Sequence, residues 1–429
     1  MAAFSVDLTR SALEARRHGV ILHSVGDTRL DAERVEIGGR WRTNFSTCSY
    51  LGLHAHPAAI AGSIDAAAKW GTQYSSSVAV SHVALYEELE QLLVEMYGRP
   101  CFVVPSTTYA HMTYFSAFVR PQDVIMLDAA VHTSVRFASM MCRGNGTAVL
   151  GVDLAKPDEA LRKIDAAAAK HPGATVYVCA DGVYSMRGSC VAVDLVHAIA
   201  QMPRTVAYID DAHGMSLDGP RGQGIFWTAY SAAHGSPGES VVVASSMSKG
   251  FGSSGGFLVL GSAEQRRLLA TAPSPIMFGG PLVPAVLGAC VAVARLHVSG
   301  EVVALQLRLR ANVKLAVTAL QARGVRLLSV PEHHRSPILY VVVGDTTQTF
   351  LAVRAMLDAG VFVMAVAYPV VPHELAGVRI TITARHTRDD IERMVECAAL
   401  HLLPRVATCD SVTVSVAVAI RASAPRSKL

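Results

Sequence analysis

A chain of 429 residues has room for two or three packed domains with substantial cores. Apolar residues make up 51% of it and charged residues 17%, a balance that excludes a disordered or acidic-tail protein. The formal net charge of +4 arises from 38 basic and 34 acidic residues. The basic residues are scattered, without the stripe that marks a nucleic-acid-binding surface.

No apolar run reaches the roughly 18 residues of a membrane-spanning helix. The apolar residues come instead in short blocks such as 175–180, 206–209 and 241–244, the pattern of strands buried on both faces of a parallel sheet. In chain order, residues 1–55 predict a short helix and then extended pieces, and the amino terminus lacks the apolar core of a signal sequence. Residues 56–282 predict a large α/β domain. Its strand blocks lie near 101–104, 123–127, 175–180, 206–210, 241–245 and 256–260, and a helix over 84–97 carries Leu85, Leu89, Leu92 and Met96 on one face. That alternation predicts a mostly parallel sheet covered by helices, with ligands beyond the carboxyl ends of the strands. Helices over 284–298 and 301–323 lead into a smaller α+β domain, residues 283–404. Its strands are expected near 325–329, 338–343, 361–364 and 378–383, and a helix over 387–402.

Residues 405–429 read as an appended tail ending in Ser427-Lys428-Leu429, a peroxisomal or glycosomal address in a eukaryotic host. Without that address the expected compartment is the cytoplasm. The eight cysteines form no CxxC pair, which argues against zinc and a disulfide framework and for a reducing compartment. No metal site is expected.

The polar residues at the strand ends are the candidate chemistry. One block runs into Asp181-Gly-Val-Tyr-Ser185, the next ends in Asp210-Asp211-Ala212-His213, and the next in Ser245-Ser246-Met247-Ser248-Lys249. Gly250-Phe-Gly252-Ser-Ser-Gly255 matches GxGxxG, but a strand pattern follows it where a dinucleotide site needs a helix. Ser246-Met-Ser-Lys249 matches SxxK, but no Lys-Thr-Gly accompanies it. A lysine-bound pyridoxal phosphate fits better. That cofactor needs an amine, an acid at its ring nitrogen and donors for its phosphate. Lys249, Asp210 and Ser246 supply one of each, and the Ser106-Thr107-Thr108 turn ahead of a helix offers further donors.

These stretches, with Asn44-Phe-Ser-Thr-Cys48-Ser49-Tyr50-Leu-Gly-Leu53, resemble the pyridoxal-phosphate-dependent α-oxoamine synthases from about residue 44 to 402. The resemblance implies the aspartate-aminotransferase type of fold (fold type I) and a homodimer. It also implies condensation of an amino acid with an acyl thioester, on coenzyme A or a carrier protein, with decarboxylation to an α-aminoketone. By the same resemblance Lys249 carries the cofactor, Asp210 meets the ring nitrogen, and His213 and Ser185 lie near the phenolic oxygen. His132 covers the ring and Ser246 binds the phosphate. Four positions depart from the family pattern. Ser106-Thr107-Thr108 replaces a Ser-Gly-aromatic turn, Cys48-Ser49 replaces Asn-Asp, an arginine is absent from residues 75–80, and Ala367-Tyr368-Pro369 replaces Arg-Pro-Pro. Arg379 is the best remaining partner for a substrate carboxylate. Two rival readings stay open: an aminotransferase using the same Lys249 and Asp210, and a non-catalytic partner subunit of such a synthase.

Overall fold

A computed structural model describes residues 2–271, 273–329 and 335–406, with side chains from Val6 onward. The expected tail, with Ser427-Lys428-Leu429, lies outside the described residues. The chain divides into two compact units. One comprises Leu51–Ser185 and Cys190–Gln306; the other comprises Met1–Tyr50, Met186–Ser189 and Leu307–Leu429 as far as they are described.

The second of these units begins with helix α1 (Ala2–Arg17) and an antiparallel meander of β1 (Val25–Arg29), β2 (Arg34–Ile37) and β3 (Arg40–Asn44). The chain then enters the unit that holds most of the candidate residues. Its elements are α2 (Pro57–Trp70), α3 (Leu85–Tyr97), β4 (Cys101–Val104), α4 (Thr107–Phe118), β5 (Val124–Asp128), α5 (Thr133–Gly144), β6 (Ala148–Val152), α6 (Pro157–Lys170), β7 (Val176–Asp181), α7 (Val193–Gln201), β8 (Thr205–Asp210), α8 (Ile225–His234), β9 (Val241–Ser246), β10 (Gly256–Val259), α9 (Ala263–Ala270), α10 (Ser274–Phe278) and α11 (Pro284–Val298). They build a seven-stranded sheet of order β4-β10-β9-β8-β7-β5-β6. Its pairs are parallel except for β10, which runs antiparallel to both β4 and β9.

Strands β4, β5, β7, β9 and β10 are buried at every position, so their apolar runs serve both faces at once. Tyr114, Phe115, Tyr177, Tyr208 and Leu258 meet in one core cluster beside α4. Helix α3 forms where the periodicity predicts it, but its buried face is Tyr86, Leu89, Leu93, Met96 and Tyr97. Leu85 and Leu92 are only half-buried, because the stripe is rotated toward the aromatic residues.

Helix α12 (Val302–Ala322) carries the chain back into the other unit, where β11 (Ile338–Val342), α13 (Thr346–Asp358), β12 (Val361–Phe362), β13 (Met364–Val366), β14 (Gly377–Thr381) and α14 (Arg388–Leu402) follow. Strand β12 extends the first meander, pairing parallel to β3, while β11, β14 and β13 form a separate antiparallel sheet. The expected strand at 361–364 is therefore two strands in two sheets. The expected strand near 325–329 does not form; Leu328 N–H donates to the Tyr340 carbonyl at 2.8 Å, and no ladder continues among the described residues. No single helix among the described residues is long and apolar enough to cross a membrane.

Candidate active site

Parallel strands buried along their length deliver their terminal side chains to one edge of the sheet. Asp181 ends β7, Asp210 ends β8, and the two are register partners. Strand β9 flanks β8 on the other side and runs through Ser245 and Ser246 into the turn that bears the half-buried Lys249. That turn is internally fixed. Met247 N–H donates to the Gly255 carbonyl at 3.0 Å, Ser253 N–H to the Met247 carbonyl at 2.8 Å, and Gly252 N–H to the Lys249 carbonyl at 2.9 Å. Gly252 has φ +79°, and a Cβ there would come within 2.8 Å of the Leu53 and His54 backbone. Only glycine closes this turn.

On the other side of β9, Gly256 of β10 stands between Ser246 and Val104. Ser106 caps α4, its Oγ accepting from Tyr109 N–H at 3.2 Å, and Thr107 Oγ1 donates to the Ser245 carbonyl at 3.2 Å. A Cβ on Gly256 would lie 2.5 Å from both Ser106 C and Thr107 N. The missing side chain thus lets the start of a twelve-residue helix settle against the strand. Ser246 Oγ accepts from Ser248 N–H at 3.1 Å and keeps its own proton to donate. With the first-turn N–H groups of α4 and the exposed Thr108, it forms a cradle suited to an anion.

Three buried acids crowd the strand ends. Asp210 Oδ1 accepts from Ala212 N–H at 3.1 Å, and Oδ2 accepts from His111 Nε2 at 3.0 Å. Burial pushes Asp210 toward the neutral form, but its interactions with His111, which donates to it, and with Lys249 and His132 outweigh that and hold the carboxyl below its ordinary range. Asp181 goes the other way. Desolvation and the neighbouring Asp210 raise its pKa well above normal, although it accepts from His132 N–H at 2.9 Å. Desolvation and Asp210 also raise Asp211. Its carboxyl is enclosed by Gly182, Gly214 and Gly224, where an added Cβ would come within 2.6 Å of an Asp211 oxygen. Of the three, Asp210 is the one held toward its ionised form, while Asp181 and Asp211 are pushed toward the neutral one.

His132 caps α5, with Nδ1 accepting from Ser134 N–H at 3.3 Å and lying 2.6 Å from Ser134 Oγ. Desolvation lowers its pKa, Lys249 adds to that, and Asp210 opposes it. The ring is thus neutral at physiological pH, with its hydrogen on Nε2. His213 is buried in the turn after β8, and Ser185 is half-buried four residues beyond Asp181.

Lys249, Asp210, His213, Ser185, His132, Ser246, Ser106, Thr107 and Thr108 all belong to one compact unit. Within it Lys249, Asp210 and His132 interact electrostatically, while Ser246, Ser106 and Thr107 share the anion cradle. Arg379 belongs to the other unit, inside β14. It is 1% exposed, donates to Tyr50 Oη at 3.3 Å and holds its terminal nitrogens 3.8 and 3.9 Å from Cys48 Sγ. His111 is the functional candidate that sequence reasoning missed. A histidine between Ala110 and Tyr114 on the inward face of α4 was the available signal.

Residues 43–397 match the family model of aminotransferase class I and II. The chain belongs to this family. Among its curated relatives, an 8-amino-7-oxononanoate synthase of Thermoanaerobacter pseudethanolicus is 27% identical over 83% of this chain and 86% of the relative. A mitochondrial 2-amino-3-ketobutyrate coenzyme A ligase of Mus musculus is 27% identical over 82% and 81%. In fold, the chain is similar to a serine palmitoyltransferase of Sphingomonas wittichii, with a TM-score of 0.80 at 23% identity over 96% of this chain and 97% of that one. The family's fold is the expected fold type I: a large, mostly parallel sheet accompanied by a smaller antiparallel one.

Proposed function

We propose that this chain is a pyridoxal-phosphate-dependent acyltransferase of the α-oxoamine synthase type, joining an amino acid to an acyl thioester with loss of carbon dioxide. The observation that carries the cofactor assignment is the strand-end layer: one lysine amine, one carboxylate kept ionised, and one anion cradle. The curated relatives, named as an oxononanoate synthase and an aminoketobutyrate ligase, support condensation over transamination.

Pyridoxal phosphate, when bound, supplies an electron sink conjugated to the amino acid's Cα. Lys249 Nζ would hold it and, once free, would take the Cα proton as general base. Asp210 would accept from the ring nitrogen and keep it protonated. His213 and Ser185 serve the phenolic oxygen, Ser246, Ser106, Thr107 and Thr108 the phosphate, and the neutral His132 covers the ring. In the net reaction Cα bonds to the acyl carbonyl carbon, the thiol leaves, and the β-placed carboxylate departs as carbon dioxide, leaving an α-aminoketone. Arg379, the expected partner of the substrate carboxylate, is 1% exposed and bonded to Tyr50, which leaves it no open face for that role. A homodimer is proposed by family resemblance, and the domain limits 56–282 and 283–404 from the run of strand and helix patterns along the chain; sizing with light scattering tests the dimer.

Two measurements test the reading. Borohydride reduction and peptide mapping should place the pyridoxyl mass on Lys249; a label on Lys156 or Lys163 instead overturns the assignment. With a carboxyl-labelled amino acid, labelled carbon dioxide should appear only when an acyl thioester is added. Label retained in a keto acid without thioester would make the enzyme an aminotransferase. The proposed address Ser427-Lys428-Leu429 is tested in a eukaryotic host, where deleting it should leave the protein in the cytosol; an unchanged distribution removes the address.

A further inference from the structure

We propose that His111, clamped between Tyr208 and Asp210, is the positioning residue that keeps Asp210 ionised and correctly turned toward the cofactor's ring nitrogen. The inference rests on the pyridoxal phosphate reading and names a residue outside the family motifs.

The clamp follows from the strand. Tyr208 and Asp210 are two residues apart on β8, so their side chains leave the same face of the sheet. Helix α4 lies over that face and lowers His111 between them. Nδ1 is 2.9 Å from Tyr208 Oη and Nε2 is 3.0 Å from Asp210 Oδ2. Both His111 and Tyr208 are 0% exposed. An ionised carboxylate only accepts, so Nε2 carries a hydrogen, and in the neutral ring Nδ1 accepts from the phenol. Burial raises the Tyr208 pKa well above normal, so its hydroxyl stays protonated and available as that donor. The bonds then run in one direction, from Tyr208 to His111 to Asp210.

The surroundings explain why a dedicated partner is needed. Asp210 shares its layer with Asp181 and Asp211, and each of those neighbours feels its charge. A buried carboxylate so placed is neutralised unless donors or cations favour its charge. Lys249 and His132 help. The amine of Lys249, however, is alternately bonded and free during turnover, and His132 is exposed. His111 is a fixed, water-excluded side-chain donor on Asp210 Oδ2, while the Ala212 N–H serves Oδ1.

The test uses the holoenzyme of wild type, His111→Phe, His111→Gln and Tyr208→Phe, each loaded with pyridoxal phosphate labelled with nitrogen-15 in the ring. Ring-nitrogen protonation is read by NMR across pH, with cofactor affinity and thermal midpoint alongside. In His111→Phe the proton affinity of the ring nitrogen should fall by about tenfold or more, moving its titration down by at least about one pH unit. His111→Gln, which can present an N–H near the position of Nε2, should recover most of it. Tyr208→Phe should move it in the same direction by less. A ring nitrogen that titrates as in wild type in both His111→Phe and Tyr208→Phe overturns the inference while the functional reading stands. Equal loss in His111→Phe and His111→Gln at unchanged thermal midpoints overturns it as well. Should His111→Phe not fold, the glutamine and tyrosine variants decide by the same criterion. A wild-type chain that takes up no cofactor on Lys249 overturns both proposals.

Discussion

Replacing Gly256 by alanine is the sharpest probe of the anion cradle. The new Cβ would stand 2.5 Å from Ser106 C and Thr107 N, both backbone atoms, roughly 0.9 Å inside ordinary contact at 3.4 Å. Strand β10 cannot retreat cheaply, since it is paired on both sides, to Ser246 on β9 and Val104 on β4. The 106–107 turn must move instead, carrying away the helix N-terminus and the Thr107 bond to Ser245. Overpacking of this kind costs about 1–3 kcal/mol of stability. Losing one hydrogen bond to a charged phosphate costs about 1.5–3 kcal/mol, which weakens binding by roughly ten- to a hundredfold. Titrating apo-protein with pyridoxal phosphate, followed by absorbance, should show that weakening, while borohydride labelling at saturating cofactor still falls on Lys249. Unchanged affinity in a folded Gly256→Ala protein would show that the phosphate is held elsewhere.

Asp210→Asn should weaken cofactor binding by about a hundredfold or more, because the layer loses the carboxylate that is held toward its ionised form. Asp211→Asn, at a group that burial and Asp210 push toward the neutral form, should bind within about threefold of wild type, and equal losses would contradict the charge assignment. His297 is fully buried, and desolvation lowers its pKa to about 4. The unfolded chain takes up this proton near pH 6.5, so the histidine's contribution is full above that value and declines as pH falls toward 4. In His297→Phe the slope of unfolding free energy against pH in that window should be lower by about 1.4 kcal/mol per pH unit; parallel urea-derived curves would refute this. Arg99 donates to the carbonyls of Leu260 at 2.9 Å, Pro237 at 2.6 Å and Gly238 at 3.0 Å. Arg99→Met should lower stability by about 3 kcal/mol in denaturant melts, and a loss below about 1 kcal/mol would mean that water replaces the guanidinium.

Strands β7, β8 and β9 were legible because burial on both faces leaves an unbroken apolar run that ends abruptly in polar residues, which are also the site. Strand β6, Ala-Val-Leu-Gly-Val, escaped notice because it lies at the sheet edge, half-exposed and carrying a glycine. Residues 325–329 carry β-like composition, but the chain leaves the Gly324 bend with one bridging hydrogen bond and no partner ladder among the described residues. Pairing, which no local pattern encodes, decides such segments. Lys249, Asp210 and His132 could be named from motifs. His111 could not, because its role exists only where α4 crosses β8, two segments nearly a hundred residues apart.

The lysine turn is the loop of a hairpin whose two stems, β9 and β10, are interior strands of the sheet. With Met247 bonded to both Gly255 and Ser253, Gly252 bonded to Lys249, and Gly252 packed against Leu53, the main chain under Lys249 is a stiff mount. The travel between holding a cofactor and reaching a substrate proton must then come from the four methylenes of the side chain alone. Such rotations take nanoseconds or less, whereas loop rearrangements run to microseconds. Handing the amine from one task to the next therefore need not wait on any motion of the protein scaffold.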